Sequence, residues 1–143
     1  MAVPEGIEDF AGHWRIKRRI DDLRAGQVIR GQGTATFVAV GARRLTCDEA
    51  LTLELTGQKP LQGQRRYLWE GDEGAINVLF DDGRFFHRIA LGALRSEDLH
   101  DCPPDLYAGD YDFSNWPLWR ARWRVRGPRK DYVMVTDYRR AAG

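Results

Sequence analysis

His87 is the residue of this chain best placed to do chemistry, because it stands where an apolar residue is expected. It lies two residues after Phe85 and two before Ile89, and in a strand all three side chains would point to one face. An imidazole there is either a core histidine held by one hydrogen bond or a group that contacts a ligand. Since its unperturbed pKa lies near neutrality, it is also a candidate general acid or base.

Arg18 raises a second question of the same kind. Alternation places it on the face of Trp14 and Ile16, and an unpaired guanidinium is too costly to bury, so an inward Arg18 needs an anion. A carboxylate of the chain, such as Glu54 or Asp112, would supply an internal partner. The alternative is a ligand whose carboxylate or phosphate fits the planar guanidinium fork, and the sequence leaves both open.

A polar cluster lies between His100 and Tyr107. It includes Cys102 and Asp105, and the spacing superficially suggests metal ligands or a thiol nucleophile. Zinc sites need three or four convergent ligands, whereas Pro103-Pro104 is typical of a rigid loop. We therefore favour a structural loop over pocket lining, place metal binding and thiol catalysis last, and predict no metal site.

The segment 117–140 predicts a two-faced hairpin with a turn at 127–130. Strict alternation is the period of a half-buried strand. On the apolar side, the register that fits both faces pairs Val125 with Tyr132, Trp123 with Met134, Ala121 with Thr136, and Trp119 with Tyr138. On the other side it sets Arg120 against Asp137 and Arg126 against Asp131.

The outer row of this hairpin consists of Arg120, Arg122, Arg124 and Arg126. Basic side chains beside aromatic residues can bind nucleic acid. Here, however, the tryptophans lie on the opposite face, where they cannot stack on a base held by the arginines. We favour a solvated face over a phosphate or partner surface, and we expect no nucleic-acid partner.

Strand patterns recur along the chain, each bounded by glycine, aspartate or proline. Nine strands are predicted, at 13–21, 31–40, 45–55, 65–70, 75–80, 84–91, 106–113, 118–126 and 131–139, with a short helix at 4–11. Antiparallel strands leave exposed edges unless the sheet closes. The prediction for residues 1–143 is an all-β fold in a single domain: a closed or nearly closed antiparallel up-and-down barrel of about 8–10 strands.

Composition limits the partners and the compartment. The 143 residues include 22 basic and 21 acidic side chains, for a net charge of +1, so no global field attracts nucleic acid or a membrane. No segment approaches the roughly 20 apolar residues of a membrane span, and the N-terminus lacks a targeting pattern. We expect a cytoplasmic protein. Cys47 and Cys102 are too few for a disulfide framework, and whether either thiol reacts stays open.

Several short motifs resemble those of known families. Gly12-x-Trp14 on the first strand, with Arg140 on the last, resembles the lipocalin and fatty-acid-binding (calycin) superfamily, in which such an arginine covers the tryptophan and closes one end of the barrel. The segments 82–87, 100–107 and 119–132 resemble those of a family of small bacterial proteins of unknown function with a lipocalin-like barrel. The resemblance implies a barrel with a cavity, closed at one end by Trp14 and Arg140, and it implies no activity.

The first functional hypothesis is intracellular binding of a small apolar or aromatic ligand in the barrel lumen, with an anionic group on the ligand as an option. Aromatic side chains with a few polar groups are the usual lining of a ligand pocket. The predicted ligand-binding residues are Arg18, Tyr67, Trp69, Phe85, His87, Trp123, Met134 and Tyr138. We expect a small-molecule partner and no cofactor, with a homodimer as an option.

Three alternatives stay open. A cofactor-independent enzyme of the isomerase, lyase or decarboxylase type would use His87 as acid or base, with Tyr67, Tyr107 or Asp105 assisting. Haem binding would use the His87 imidazole as the iron ligand. A barrel filled with side chains would serve as a protein-interaction module through its arginine face, so the state of the lumen decides among the hypotheses.

Overall fold

Alternating inward and outward side chains give ten antiparallel strands in the computed structural model, which describes residues 2–142. The strands are β1 (Gly12–Asp22), β2 (Gln27–Gly41), β3 (Arg44–Glu54), β4 (Leu61–Asp72), β5 (Ala75–Phe80), β6 (Phe85–Ala90), β7 (Arg95–Cys102), β8 (Asp105–Asn115), β9 (Leu118–Arg126) and β10 (Asp131–Arg140). The predicted all-β, nearly closed barrel is confirmed. Within the described residues, no helix has the length and apolar character needed to cross a membrane.

β7 is the strand that the sequence patterns do not predict. Its less exposed positions hold Ser96, Asp98 and His100, so the hydrophobic alternation on which strand prediction depends is missing. The interpretation of residues 100–107 as a structural loop is therefore wrong, because β7 ends at Cys102 and β8 begins at Asp105. The Pro103-Pro104 pair forms only the turn between β7 and β8.

The sheet begins at β6, passes through β1 and β10, and ends at β7. At the seam between these two edge strands, polar side chains of β7 accept hydrogen bonds from the backbone of β6. The Arg88 N–H donates to the Asp98 carboxylate at 2.6 Å, and the Ala90 N–H donates to the Ser96 hydroxyl at 2.8 Å. The inward positions of β7 are polar because their side chains accept hydrogen bonds from backbone N–H groups of β6 that would otherwise be unpaired.

The β9–β10 hairpin has the predicted register, since all four apolar pairs and both charged pairs lie opposite each other. On the outer face, Arg120 donates to both oxygens of Asp137, at 2.7 and 3.2 Å. Asp131 forms its ion pair with Arg124, at 2.6 Å, rather than with Arg126. The tryptophans of β9 are buried inside the barrel, so they do not lie beside the arginine row.

One end of the barrel is closed by the segment that precedes β1. The helix predicted at 4–11 is only a single 3₁₀ turn, Ile7–Phe10, because the backbone becomes extended at Ala11 to enter β1. Phe10 is fully buried, and its ring contacts other rings at centroid distances of 5.2 to 6.4 Å. These rings are Phe37, Trp69, Phe113, Trp116 and Trp119. We refer to Phe10 and these five rings as the aromatic plug.

Arg140 ties the plug to the last strand. Its guanidinium carbon lies 4.0 Å from the centroid of the Trp14 ring and its two terminal nitrogens donate to the carbonyls of Ala11 and Asp9, both at 2.6 Å. The Trp14 indole N–H donates to the Phe10 carbonyl at 2.9 Å. The plug is therefore held by both β1 and β10, through hydrogen bonds and a cation–π contact.

Candidate functional site

A cavity of about 480 Å³ occupies the lumen between the aromatic plug and the opposite, open end of the barrel. Small apolar ligands are commonly bound in cavities of this size. One part of the lining is aromatic: Tyr67, Phe80, Phe86, Tyr107, Trp123 and Tyr132. The other part is polar and charged: Arg18, Glu49, Arg65, His87, His100 and Lys130. The lumen is thus open rather than filled, and it combines flat apolar surfaces with a few polar groups.

The structure brings most of the predicted ligand-binding residues together in this cavity. They line it from five different strands: Arg18, Tyr67, Trp69, His87, Trp123, Met134 and Tyr138. The placement of Phe85 on the inner face is wrong, because its side chain is 53% exposed and points outward. Of the other two candidates for catalysis, Tyr107 lines the cavity and Asp105 does not.

A bulge in β6 explains the error at Phe85. His87 pairs with Val78, but the next pair joins Phe85 to Leu79, so the strand carries one extra residue at Phe86. The Phe86 ring turns into the lumen, where it stacks against Phe80 and Trp123 at centroid distances of 4.5 and 5.1 Å. The hydrophobic pattern does not reveal a bulge. Because residues 85 and 86 are both phenylalanine, the pattern cannot show which of the two side chains points inward.

Arg18 has an internal partner, and it is Glu49. The two guanidinium nitrogens Nη1 and Nη2 donate to the two Glu49 oxygens at 3.2 and 3.0 Å, and Nε donates to the Thr136 hydroxyl at 2.9 Å. The suggested partners Glu54 and Asp112 are wrong: Glu54 is exposed on the outer face of β3, and Asp112 contacts Ser114.

The neighbouring carboxylate keeps Arg18 charged in spite of its burial. Burial by itself would lower the pKa of Arg18, but the neighbouring Glu49 carboxylate raises this pKa above its ordinary value. The side chains are only 11% and 8% exposed. The phase of β3 places Glu49 on the inner face, between Cys47 and Leu51, but it does not show which residue Glu49 faces across the barrel. A buried, bidentate ion pair therefore joins β1 to β3 on the inner surface of the barrel.

His87 is 2% exposed and lies among aromatic rings. Its Nε2 atom lies 3.5 Å from the Tyr111 hydroxyl, at the outer limit of a hydrogen bond, and its ring is 4.7 Å from that of Trp123. Burial lowers the pKa of His87 to about 3, which Asp98 opposes and His100 reinforces. The imidazole is therefore neutral at physiological pH, so it can bind a ligand through a neutral nitrogen but holds no proton to donate as an imidazolium.

Tyr111, rather than the candidates Tyr67, Tyr107 and Asp105, is the polar neighbour of His87. Burial raises the pKa of the Tyr111 phenol above its ordinary range, so this hydroxyl stays protonated. The residue could have been found from the sequence, because it is in phase with Tyr107 on the same face of β8.

The open end of the barrel carries two cations, each held by a phenol. Arg65 Nη1 donates to the Tyr67 hydroxyl at 3.2 Å, and Lys130 Nζ donates to the Tyr107 hydroxyl at 2.9 Å. Lys130 also lies 3.3 Å from the carboxylate of Asp105. Among the pairs that the structure describes, no hydrogen bond joins Tyr107 or Asp105 to His87, so the proposed catalytic set does not assemble around the imidazole.

The two cysteines lie at different depths of the same cavity. Cys47 is buried, and burial raises the pKa of its thiol well above the ordinary value, whereas Cys102 is exposed at the mouth. Across residues 2–142, no three His, Cys, Asp or Glu side chains come together in a way that could hold a metal ion.

A second depression, of about 500 Å³, lies on the outer face of the barrel along β1, β2 and β3. It is lined by charged side chains such as Lys17, Arg19, Arg30 and Glu54, and the described residues around it include no aromatic ring. A charged, solvated groove offers little apolar contact to a small molecule. The lumen is therefore the better candidate for a binding site.

Comparisons with solved structures place the barrel in a known architecture. The S-type phycobiliprotein lyase CPES from Guillardia theta superposes with a TM-score of 0.63 at 10% identity, over 95% of this chain and 90% of that chain. A redesigned β-barrel, mFAP1, bound to DFHBI, has a TM-score of 0.49 at 10% identity, over 95% and 100% of the two chains. At this level of identity the likeness concerns the fold alone.

Comparisons of sequence give one match. A family model described as "Family of unknown function (DUF6314)" matches residues 10–140 of the chain. None of the curated proteins compared with the chain matches it.

Proposed function

The chain belongs to DUF6314, a family of unknown function, and on that premise we propose that it binds a small apolar or aromatic molecule in the lumen of its barrel. The observation that carries this proposal is the cavity of about 480 Å³ above the aromatic plug. Flat aromatic walls with a few fixed polar groups are the usual lining of a small-molecule site.

Phe86 and Trp123 provide the main apolar surface for such a ligand. Their rings are inclined by only 23° and lie 5.1 Å apart, so they stack on each other, and both border the cavity as an aromatic wall. Met134 lies beside Trp123 in the register and adds a side chain that adapts to irregular shapes. A ligand ring placed against this wall gains aromatic contact and removes apolar surface from water.

The polar groups of the lumen are suited to orienting a ligand. The neutral imidazole of His87 offers a hydrogen-bonding nitrogen among aromatic rings. Arg18 is already neutralised by Glu49, so the pair adds a rigid polar edge without a free charge. Because these groups are held in place before binding, little conformational entropy is lost when a ligand enters.

Native mass spectrometry of the protein, isolated from the cytoplasmic fraction of its own cells, is the direct test. A small molecule retained in the native spectrum and lost on denaturation would support the proposal and identify the ligand class. The same spectrum reads the number of chains in the particle, which tests the homodimer option.

The adjacent phenylalanines of β6 provide a matched pair of variants for a binding assay. With the neutral fluorescent probe 1-pyrenebutanol, Phe86→Ala is expected to weaken binding by about tenfold or more, since a buried phenyl ring contributes about 1.5–3 kcal/mol. Phe85→Ala is the control, because this side chain is exposed outside the barrel. Equal affinities for the two variants and the parent would contradict binding in the lumen.

Haem binding through His87 is a second candidate that one observation favours. The lowered pKa of His87 keeps its imidazole neutral, which is the form that binds iron. Addition of haemin to the parent protein would then give a shifted Soret band that His87→Gln abolishes. An unchanged haemin spectrum rules this candidate out.

A further inference from the structure

We propose that the ligand of this cavity carries an anionic group, a carboxylate, which binds at the mouth of the barrel between Arg65 and Lys130. This inference rests on the proposed function, because it concerns the same cavity. It adds the charge of the ligand, the end of the cavity at which that charge lies, and the residues that recognise it.

The charges of the lining are unbalanced. The lining contains three cationic side chains, Arg18, Arg65 and Lys130, and one carboxylate, Glu49. Glu49 is fully engaged, since both of its oxygens accept hydrogen bonds from Arg18. The positive charge that remains in the lining therefore lies at the mouth and not in the depth of the cavity.

Arg65 is the less neutralised of the two cations at the mouth. It lies opposite Glu49 in the β3–β4 register, but the Glu49 carboxylate is directed to Arg18. Within residues 2–142, Arg65 has no carboxylate in ion-pair range, and its one side-chain hydrogen bond is to the Tyr67 hydroxyl. Most of the guanidinium donors are left to water or to an anion, and a carboxylate fits their planar fork.

Each of the two cations is bound to a tyrosine whose ring lies next to Phe86. The Phe86 ring is 6.1 Å from the ring of Tyr67 and 5.9 Å from that of Tyr107, and these phenols hold Arg65 and Lys130. A ligand that rests its apolar body against Phe86 therefore has a cation near each phenol. An amphipathic acid, apolar along its length and charged at one end, matches this arrangement.

Lys130 contributes less than Arg65 because it already has a carboxylate neighbour. Its ammonium lies 3.3 Å from Asp105, which stands outside the cavity lining. Part of its field is cancelled, and it acts chiefly by positioning the Tyr107 hydroxyl. Arg65 is thus the principal residue for recognising the anion.

A pair of fluorescent probes that differ only at the end of a short chain tests the charge of the ligand. 1-Pyrenebutyric acid and 1-pyrenebutanol share the same aromatic body, and both are titrated into the full chain at about physiological ionic strength. The parent protein is expected to bind the acid about tenfold more tightly than the alcohol, as a charge-assisted hydrogen bond at a partly solvated site would give.

Two neighbouring arginines of β4 supply the variant and its control. Arg65→Gln should remove the preference for the acid while the affinity for the alcohol stays within about twofold. Arg66→Gln should leave both affinities unchanged, because Arg66 pairs with Asp48 on the outer face of the barrel. Lys130→Met should reduce the preference by a smaller factor than Arg65→Gln.

The outcomes separate this inference from the proposed function. If the alcohol binds, loses affinity in Phe86→Ala and keeps it in Phe85→Ala, the lumen is a ligand site. If the acid then binds no better than the alcohol, the anionic ligand is excluded and the proposed function stands. If the preference survives in Arg65→Gln, recognition of the anion by Arg65 is excluded, and the proposed function again stands. If neither probe binds the parent protein, the proposed function itself fails, and with it the inference.

Discussion

The two ends of this barrel are built from the same ten strands but are filled in different ways. At the closed end Phe10 is completely buried, and the ring that fills the barrel comes from a segment outside the sheet. At the open end Phe86 is also surrounded by aromatic rings, yet its side chain borders the cavity. At the closed end the chain itself supplies the last ring of the aromatic cluster, whereas at the open end it leaves a cavity beside the cluster.

The arginines of the two ends differ in the same way as the aromatic rings. Arg140 at the closed end satisfies two backbone carbonyls and covers Trp14, so its charge serves the fold. Arg65 at the open end donates to a single phenol and leaves its other donors free for water or a ligand. The difference agrees with a stabilising role for the closed end and with the binding role that we propose for the open end.

The largest expected effect tests whether Phe10 and Phe86 truly differ. Phe10→Ala removes a fully enclosed ring and should lower the free energy of unfolding by about 3–5 kcal/mol. Phe86→Ala should cost less, about 1–2 kcal/mol, because its ring already borders a cavity. Chemical denaturation of both variants and the parent measures the two losses, and equal losses would mean that the open end is packed as tightly as the plug.

The layer between the two ends depends on the ion pair of Arg18 and Glu49. Glu49→Ala leaves a buried guanidinium without its carboxylate and should destabilise the protein by about 3 kcal/mol or more. The double variant Arg18→Met with Glu49→Leu removes both charges, and it should recover most of that loss. A double variant as unstable as the single one would show that the pair contributes through packing rather than through charge.

Sequence patterns predicted best where one face of a strand is strictly apolar. The β9–β10 register follows from the alternation of arginine with tryptophan, because a shift of one residue would bury every arginine. β7 was missed because its inward side chains are polar and bond to the edge of β6. The short helix was overestimated, since the acidic residues near Glu8 are compatible with one turn as well as with three.

The candidate site was predictable in its composition but not in its pairing. His87 and Trp123 were placed in the lumen by phase alone. Phase could not identify Phe86, because the bulge lies between two identical side chains. The partner of Arg18 was missed because it depends on the lateral order of β1, β2 and β3, which hydrophobic periodicity does not contain.

The pH dependence of the free energy of unfolding tests whether the imidazole of His87, between the two ends, is shielded from water. The pKa of His87 is about 3 in the folded protein and about 6.5 in an unfolded chain. The folded state therefore binds fewer protons, and stability that is fully present above pH 6.5 is lost as the pH falls toward 3. The loss approaches about 1.4 kcal/mol per pH unit in this window.

Urea denaturation at pH 7.5 and pH 4.5 measures this loss of unfolding free energy. The parent should lose more stability between the two pH values than His87→Gln, which has no proton to gain at this position. His13→Gln is the control, since His13 is exposed on β1, and it should behave as the parent does. If the parent and His87→Gln share one pH profile, the pKa of His87 is not lowered in the folded protein and the imidazole is hydrated.

The smallest expected effect compares the arginines of the two ends directly. Arg140→Gln should lower the free energy of unfolding by about 1–2 kcal/mol, because two carbonyls and the Trp14 ring lose their contacts. Arg65→Gln should change it by no more than about 0.5 kcal/mol, since a solvated side chain with one phenol partner contributes little to the fold. If Arg65→Gln destabilises the protein as much as Arg140→Gln, Arg65 is a structural residue and its free donors are not kept for a ligand. If the variant is as stable as the parent and has lost its preference for the acid probe, the charge at the mouth serves recognition alone.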